Sequence, residues 1–168
     1  MKDFGEASYI LGIRIYRDRA SRLIGLTQDT YLEKVLKRFN MENSKKGSLP
    51  MVHGKPLSKM HCPQTDVERE SMRKIPYASA ICSIMYAMIC TRLDVSYALS
   101  VASRYQSDPG SLHWAVVKNI LKYFRRTKNM FLVYGGGEKQ ELIARGYTML
   151  ASPRILTISS HNQAKFLL

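Results

Sequence analysis

Residues 112–126 hold four cations, Lys118, Lys122, Arg125 and Arg126, against an apolar stripe of Val117, Ile120, Leu121 and Phe124. At 3.6 residues per turn the spacing i, i+3, i+4, i+7 predicts an amphipathic helix. Each buried stripe residue contributes roughly 1.5–3 kcal/mol, so burial fixes how the helix sits and turns the cations outward. A row of outward cations does one kind of chemistry well, the binding of a line of phosphates. An ordinary solvated helix face has the same composition. A second stripe, Leu32, Val35, Leu36 and Phe39, places Lys34, Lys37 and Arg38 on the other side of an earlier helix, with Asp29 or Thr30 as its cap.

Other chemistries lack their residues. His53, His61, Cys62 and Cys82 do not fall at the paired, short spacings of a zinc site. No Gly-x-Ser-x-Gly is present, and Gly135-Gly136-Gly137 lacks the Lys and Ser/Thr that complete a phosphate loop. Asp3, Glu6 and Asp94 are scattered; Asp94 reads as a helix cap, the others as charged flanks of a strand. No metal ligand, cofactor or catalytic residue is nominated.

Those helices need a scaffold. The 168 residues, 45% hydrophobic, are enough for one core. A net charge of +13 makes an electropositive surface that favours polyanions. Three cysteines, an odd count without paired spacing, argue against a disulfide framework; Cys82 and Cys90 lie in an apolar run and read as small buried hydrophobes. No early segment reads as a signal peptide, and the longest apolar run, 77–90, is too short to span a bilayer. The expected setting is a reducing intracellular one, cytoplasm or nucleus, away from membranes.

The expected fold is α+β and mainly helical. Residues 1–43 form a hairpin (strands at 9–15 and 23–27) plus a helix, and 44–71, with Pro50, Pro56 and Pro63, form a long linker. Residues 72–134 hold three helices and a strand at 131–134. The helices start after Pro76, run from Val95 behind an Asp94 cap, and run from Leu112 behind a Ser111 cap. The helix of 77–90, hydrophobic on most faces, is the core helix. Residues 135–168 read as a flexible tail, with a further strand at 142–147.

Several segments, in order, resemble Ty1/copia-type reverse transcriptases just past their polymerase centre. These are Met1-Lys2-Asp3-Phe4-Gly5-Glu6, Tyr9-Ile10-Leu11-Gly12-Ile13-Arg14-Ile15 and Thr27-Gln28 through Phe39. Further on, 77–86, Thr91-Arg92-Leu93-Asp94, Ser103-Arg104-Tyr105 and 113–127 look like the thumb and connecting region, and Gly146-Tyr147-Thr148 like the approach to ribonuclease H. The resemblance implies that Leu11, Gly12 and Ile13 are primer-grip-like and that the cationic helices face a template–primer duplex. Leu93 stands where that family usually has proline, and Cys82 where it usually has glycine, which would crowd helix packing. The family's Tyr-x-Asp-Asp motif is upstream of the resembling stretch, and this chain has no Asp-Asp pair. Met149 stands where the first ribonuclease H aspartate would follow Thr148. A coding shift of one base within Asp-Ala-Ser-Phe yields Met149-Leu150-Ala151, so the tail reads as frameshifted. The implied role is a non-catalytic fragment that binds nucleic acid electrostatically.

The chain also resembles copia-like sequences catalogued as secreted RxLR effectors of downy mildews. That likeness implies secretion, a host plant protein as partner, and suppression of defence or cell death inside the host cell. Arg19-Ala20-Ser21-Arg22 only approaches Arg-x-Leu-Arg, and Glu68-Arg69-Glu70 echoes an acidic Glu-Glu-Arg motif.

Overall fold

The computed structural model of the chain describes residues 5–51, 57–135 and 165–167. It is α+β and mainly helical, as expected. Five strands form one antiparallel sheet in chain order: β1 (Tyr9–Ile10), β2 (Ile13–Asp18), β3 (Leu23–Thr27), β4 (Phe131–Gly135) and β5 (Lys165–Leu167). Between β3 and β4 come α1 (Asp29–Arg38), α2 (Asp66–Arg73), α3 (Tyr77–Cys90), α4 (Ser96–Ser103) and α5 (Ser111–Thr127).

The stretch expected as one strand at 9–15 is instead two. Ile10 pairs with Ile13, so Leu11 and Gly12 form a two-residue turn, with φ of 50° and 76°. Two successive positive φ values are what a right-twisted hairpin demands of its shortest loop. Glycine meets that demand freely, and leucine does not. The Leu11 carbonyl accepts a hydrogen bond from Tyr86 Oη at 2.5 Å, which ties the turn to α3. The expected hairpin partner is correct: β2 and β3 pair from Arg14↔Thr27 to Asp18↔Leu23.

Helix α1 buries Leu32, Val35 and Leu36, the predicted stripe. Neither Asp29 nor Thr30 caps it; Gln28 holds the cap position, without a side-chain bond to the helix, and Asp29 is the first helical residue. The helix ends where Asn40 turns left-handed at φ 55°. Asn40 N–H then bonds Lys37 O at 3.1 Å and Met41 N–H bonds Leu36 O at 2.8 Å, a Schellman closure.

The region expected as a linker is partly ordered. Gly47 lies on α5, its N–H donating to Lys122 O at 3.0 Å; a Cβ there would sit 3.0 Å from Lys122 Cβ. Farther on, α2 starts at a reciprocal cap: Thr65 Oγ1 accepts from Glu68 N–H at 3.2 Å, and Glu68 Oε2 from Thr65 N–H at 3.4 Å. Of its side chains only Met72 is buried.

Helices α1, α3, α4 and α5 pack on one another around a core that includes Leu32, Ile81, Ile84, Leu99, Ile120 and Phe124. Tyr77, in this core, donates to Ala102 O at 2.8 Å, and burial pushes its pKa up to about 12. The other half of α3 is a correction: Cys82, Tyr86 and Ile89 are exposed, the last at 67%. The crowding expected from Cys82 does not arise, because its side chain points out of the core. Cys90 is half-buried.

Two expected caps are also corrected. Ser96, not Val95, opens α4, and Asp94 lies in a preceding 3-10 turn, Leu93–Val95, bonded to Arg92. Gly110, not Ser111, precedes α5, and its N–H donates to His113 Nδ1 at 2.8 Å. In the stretch expected as a flexible tail, Gly135 ends β4 and Lys165–Leu167 pairs with it as β5. The strand expected at 142–147 and the frameshift junction lie outside the described residues.

Candidate nucleic-acid interface

Helix α1, along most of its length, and the C-terminal turn of α5 line a half-open groove of about 640 Å3. Four of the seven predicted cations line it: Lys34 and Lys37 from α1, Arg125 and Arg126 from α5. Lys46 and Lys128, which the sequence reading missed, also line it. Lys46 comes in because the chain around Gly47 crosses α5; Lys128 because it is the residue just past the helix. Lys118, Lys122 and Arg38 do not line the groove. Lys118 and Lys122 are half-buried on α5, and the Arg38 guanidinium lies 5.7 Å from the centre of the Phe39 ring.

Two carboxylates share the groove, Glu33 and Glu42. Glu33 is taken by Lys128, at 2.5 Å. Among the described residues no acid lies within ion-pair distance of Lys34, Lys37, Lys46, Arg125 or Arg126. Cations in the last turn of a helix offset the partial negative charge of its end carbonyls. Arg125 and Arg126 in the last turn of α5 and Lys37 in that of α1 gain this offset, though the cations still crowd one space. Arg126, Lys34, Lys37 and Lys46 are exposed. The result is a concave, donor-rich surface.

The primer-grip-like residues are apart from this groove. Leu11, 81% exposed, and Gly12 form the apex of the β1–β2 turn, and nothing lies within 4 Å of a Cβ built on Gly12. The glycine therefore serves the turn through its positive φ and not through a close contact.

Of the three scattered carboxylates, Asp3 lies outside the described residues and the other two have partners. Glu6 pairs with Arg19, and Asp94 with Arg92. Among the described residues no three His, Cys, Asp or Glu side chains are grouped to hold a metal ion. His113 is fully buried, stacked on Tyr105 with ring centroids 4.1 Å apart. The bond from Gly110 N–H assigns its Nδ1 as the unprotonated nitrogen.

Burial, chiefly, holds the His113 imidazole below its ordinary 6.5, and nearby His61 adds to this, against the Ser58 backbone and Asp108. The unfolded chain therefore takes up its proton first as pH falls. Stability is full above the ordinary imidazole range, declines as pH drops through about 6.5, and levels off once the folded state also protonates. Urea midpoints between pH 8 and 5 should show that decline, and His113→Gln should flatten it. A wild-type midpoint unchanged by pH would contradict this account of the cap.

Comparison with known proteins places the chain. It is 48% identical over 148 residues to the retrovirus-related Pol polyprotein from transposon TNT 1-94 of Nicotiana tabacum, covering 88% of the chain and 11% of that protein. The chain is a homologue of retrotransposon Pol polyproteins. A second Pol polyprotein, from transposon RE2 of Arabidopsis thaliana, is 30% identical over 131 residues, 76% of the chain and 8% of the relative. Secreted RxLR effector protein 161 of Plasmopara viticola is 36% identical over 77 residues, 46% of the chain and 53% of the effector. The chain thus spans about a tenth of these Pol polyproteins and about half of the effector. No protein-family profile matches it, and no solved structure does. Among the described residues no helix is long and apolar enough to cross a membrane.

Proposed function

We propose that the chain is a non-catalytic, intracellular fragment of a copia-type reverse transcriptase that keeps a nucleic-acid-binding scaffold. The observation that carries this reading is the groove, where cations from α1, the Lys46 segment and the end of α5 converge and, among the described residues, all but Lys128 lack a carboxylate partner. Among the described residues no aromatic ring lines it, so it offers phosphate contacts rather than a platform for stacking bases. A template–primer duplex, regular in its phosphates, suits such a surface. The Leu11-Gly12-Ile13 turn is the second element, an exposed apex for the primer end. Polymerisation needs paired carboxylates around two metal ions, and none can be nominated.

Fluorescence anisotropy with a short labelled duplex at 50–200 mM salt tests this. The logarithm of the binding constant is expected to fall linearly with the logarithm of salt, by about 0.9 per phosphate contacted. Binding indifferent to salt would count against the scaffold, and extension of a primed template by the isolated chain would end the non-catalytic reading.

The match to a secreted RxLR effector favours a second reading, an effector that meets a host plant protein. Expressed in leaf tissue with a cell-death inducer, an effector blocks death and a transposon fragment does not.

A further inference from the structure

We propose that the groove between α1 and α5 is a pocket for a compact polyphosphate, a small molecule with three or more clustered phosphates such as an inositol polyphosphate or a nucleoside triphosphate. Its shape is the first reason. The groove is concave, with a volume of about 640 Å3, so it can also enclose a compact anion. That is the size of ordinary small-molecule sites, which run from about 300 to 1,000 Å3. Charge geometry is the second. The cations come from three separate segments and close in on a common space, where one multiply charged ligand can meet several of them. Arg125 and Arg126 bring planar forks suited to two oxygens of one phosphate, and Lys34, Lys37 and Lys46 bring mobile point charges. Five unpaired cations held together repel one another, and a polyanion relieves that repulsion in the folded state only. The lining selects for phosphate density over base identity: it has Thr30 and Asn129 for hydrogen bonding, a patch of Leu36, and no ring to stack on adenine. An inositol polyphosphate should therefore bind at least as well as a nucleoside triphosphate.

The inference shares the groove with the nucleic-acid reading but does not depend on it. The test is thermal unfolding and calorimetry of the full chain at 150 mM salt with inositol hexakisphosphate, ATP, tripolyphosphate and inorganic phosphate. The polyphosphates are expected to raise Tm by about 5–10 °C at a hundredfold excess over Kd, and inorganic phosphate to leave it unchanged. Arg125→Ala with Arg126→Ala should weaken hexakisphosphate binding at least tenfold. Lys34→Ala with Lys46→Ala, both exposed, should do likewise if the first pair disturbs α5. Lys118→Ala, outside the groove, should bind as wild type. No binding, or equal weakening by Lys118→Ala, overturns the pocket. Duplex binding with no polyphosphate binding overturns only the pocket; polyphosphate binding with no duplex binding supports it and removes the nucleic-acid reading.

Discussion

Asp94→Ala is expected to cost about 3–5 kcal/mol of folding stability, because it strips the paired carboxylate from a buried guanidinium. Arg92 is 2% exposed. Its Nη2 lies 2.7 Å from Asp94 Oδ2 and its Nε 3.1 Å from Oδ1, a two-pronged pair. The other prong of the guanidinium reaches Thr127 O at 3.3 Å, Nη2 also donates to Thr127 Oγ1 at 2.6 Å, and the Phe124 ring centre lies 4.9 Å away. Tyr123 Oη donates to Asp94 at 2.7 Å. The pair thus ties the link between α3 and α4 to the last turns of α5. Urea unfolding measures the loss. Tyr123→Phe, which removes one hydrogen bond to the carboxylate and leaves the charges matched, should cost less, about 1.5–3 kcal/mol. If Asp94→Ala costs no more than Tyr123→Phe, the ion pair is not what holds this junction.

Replacing Arg125 and Arg126 together by alanine should weaken duplex binding roughly 10- to 100-fold at low salt, and reduce the salt slope by about 2. Both line the groove, Arg125 half-buried and Arg126 exposed, and each removes one phosphate contact. Fold stability should barely change, since the buried stripe of α5 is untouched. Arg38→Ala is the control, because Arg38 lies outside the groove over Phe39. Anisotropy titrations on the three proteins separate a groove from a diffuse field: equal weakening by Arg38→Ala and the double variant would assign the affinity to net charge.

Periodicity made α1 and α5 legible, because Leu32, Val35 and Leu36, or Val117, Ile120, Leu121 and Phe124, bury as stripes; α3 was legible as an apolar run after Pro76. Helix α2 was hidden because only Met72 buries; its signal was the cap pair, a Thr65 three residues before Glu68, which local spacing shows and hydrophobicity does not. The Leu11 turn left no trace, since leucine is among the last residues expected at positive φ. Asp94 read as a cap because an acid before a helix usually is one; its tertiary partner, Tyr123, could not be seen. The groove was half legible. Each helix announced its cations, but that they face one another, with Lys46 carried in beside them, depends on Gly47 crossing α5, and no spacing rule encodes a crossing.

The order of the strands has a consequence for how the chain acquires its shape. Strands β1 to β3 are neighbours in sequence and zip locally, whereas β4 reaches β3 (Leu26 beside Leu132) only after the whole helical insertion has been threaded between them. Closing so long a loop is entropically slow, and it is rewarded only once the helices have brought the ends together. Assembly is thus ordered, with the helical block maturing ahead of the final zipping of the sheet.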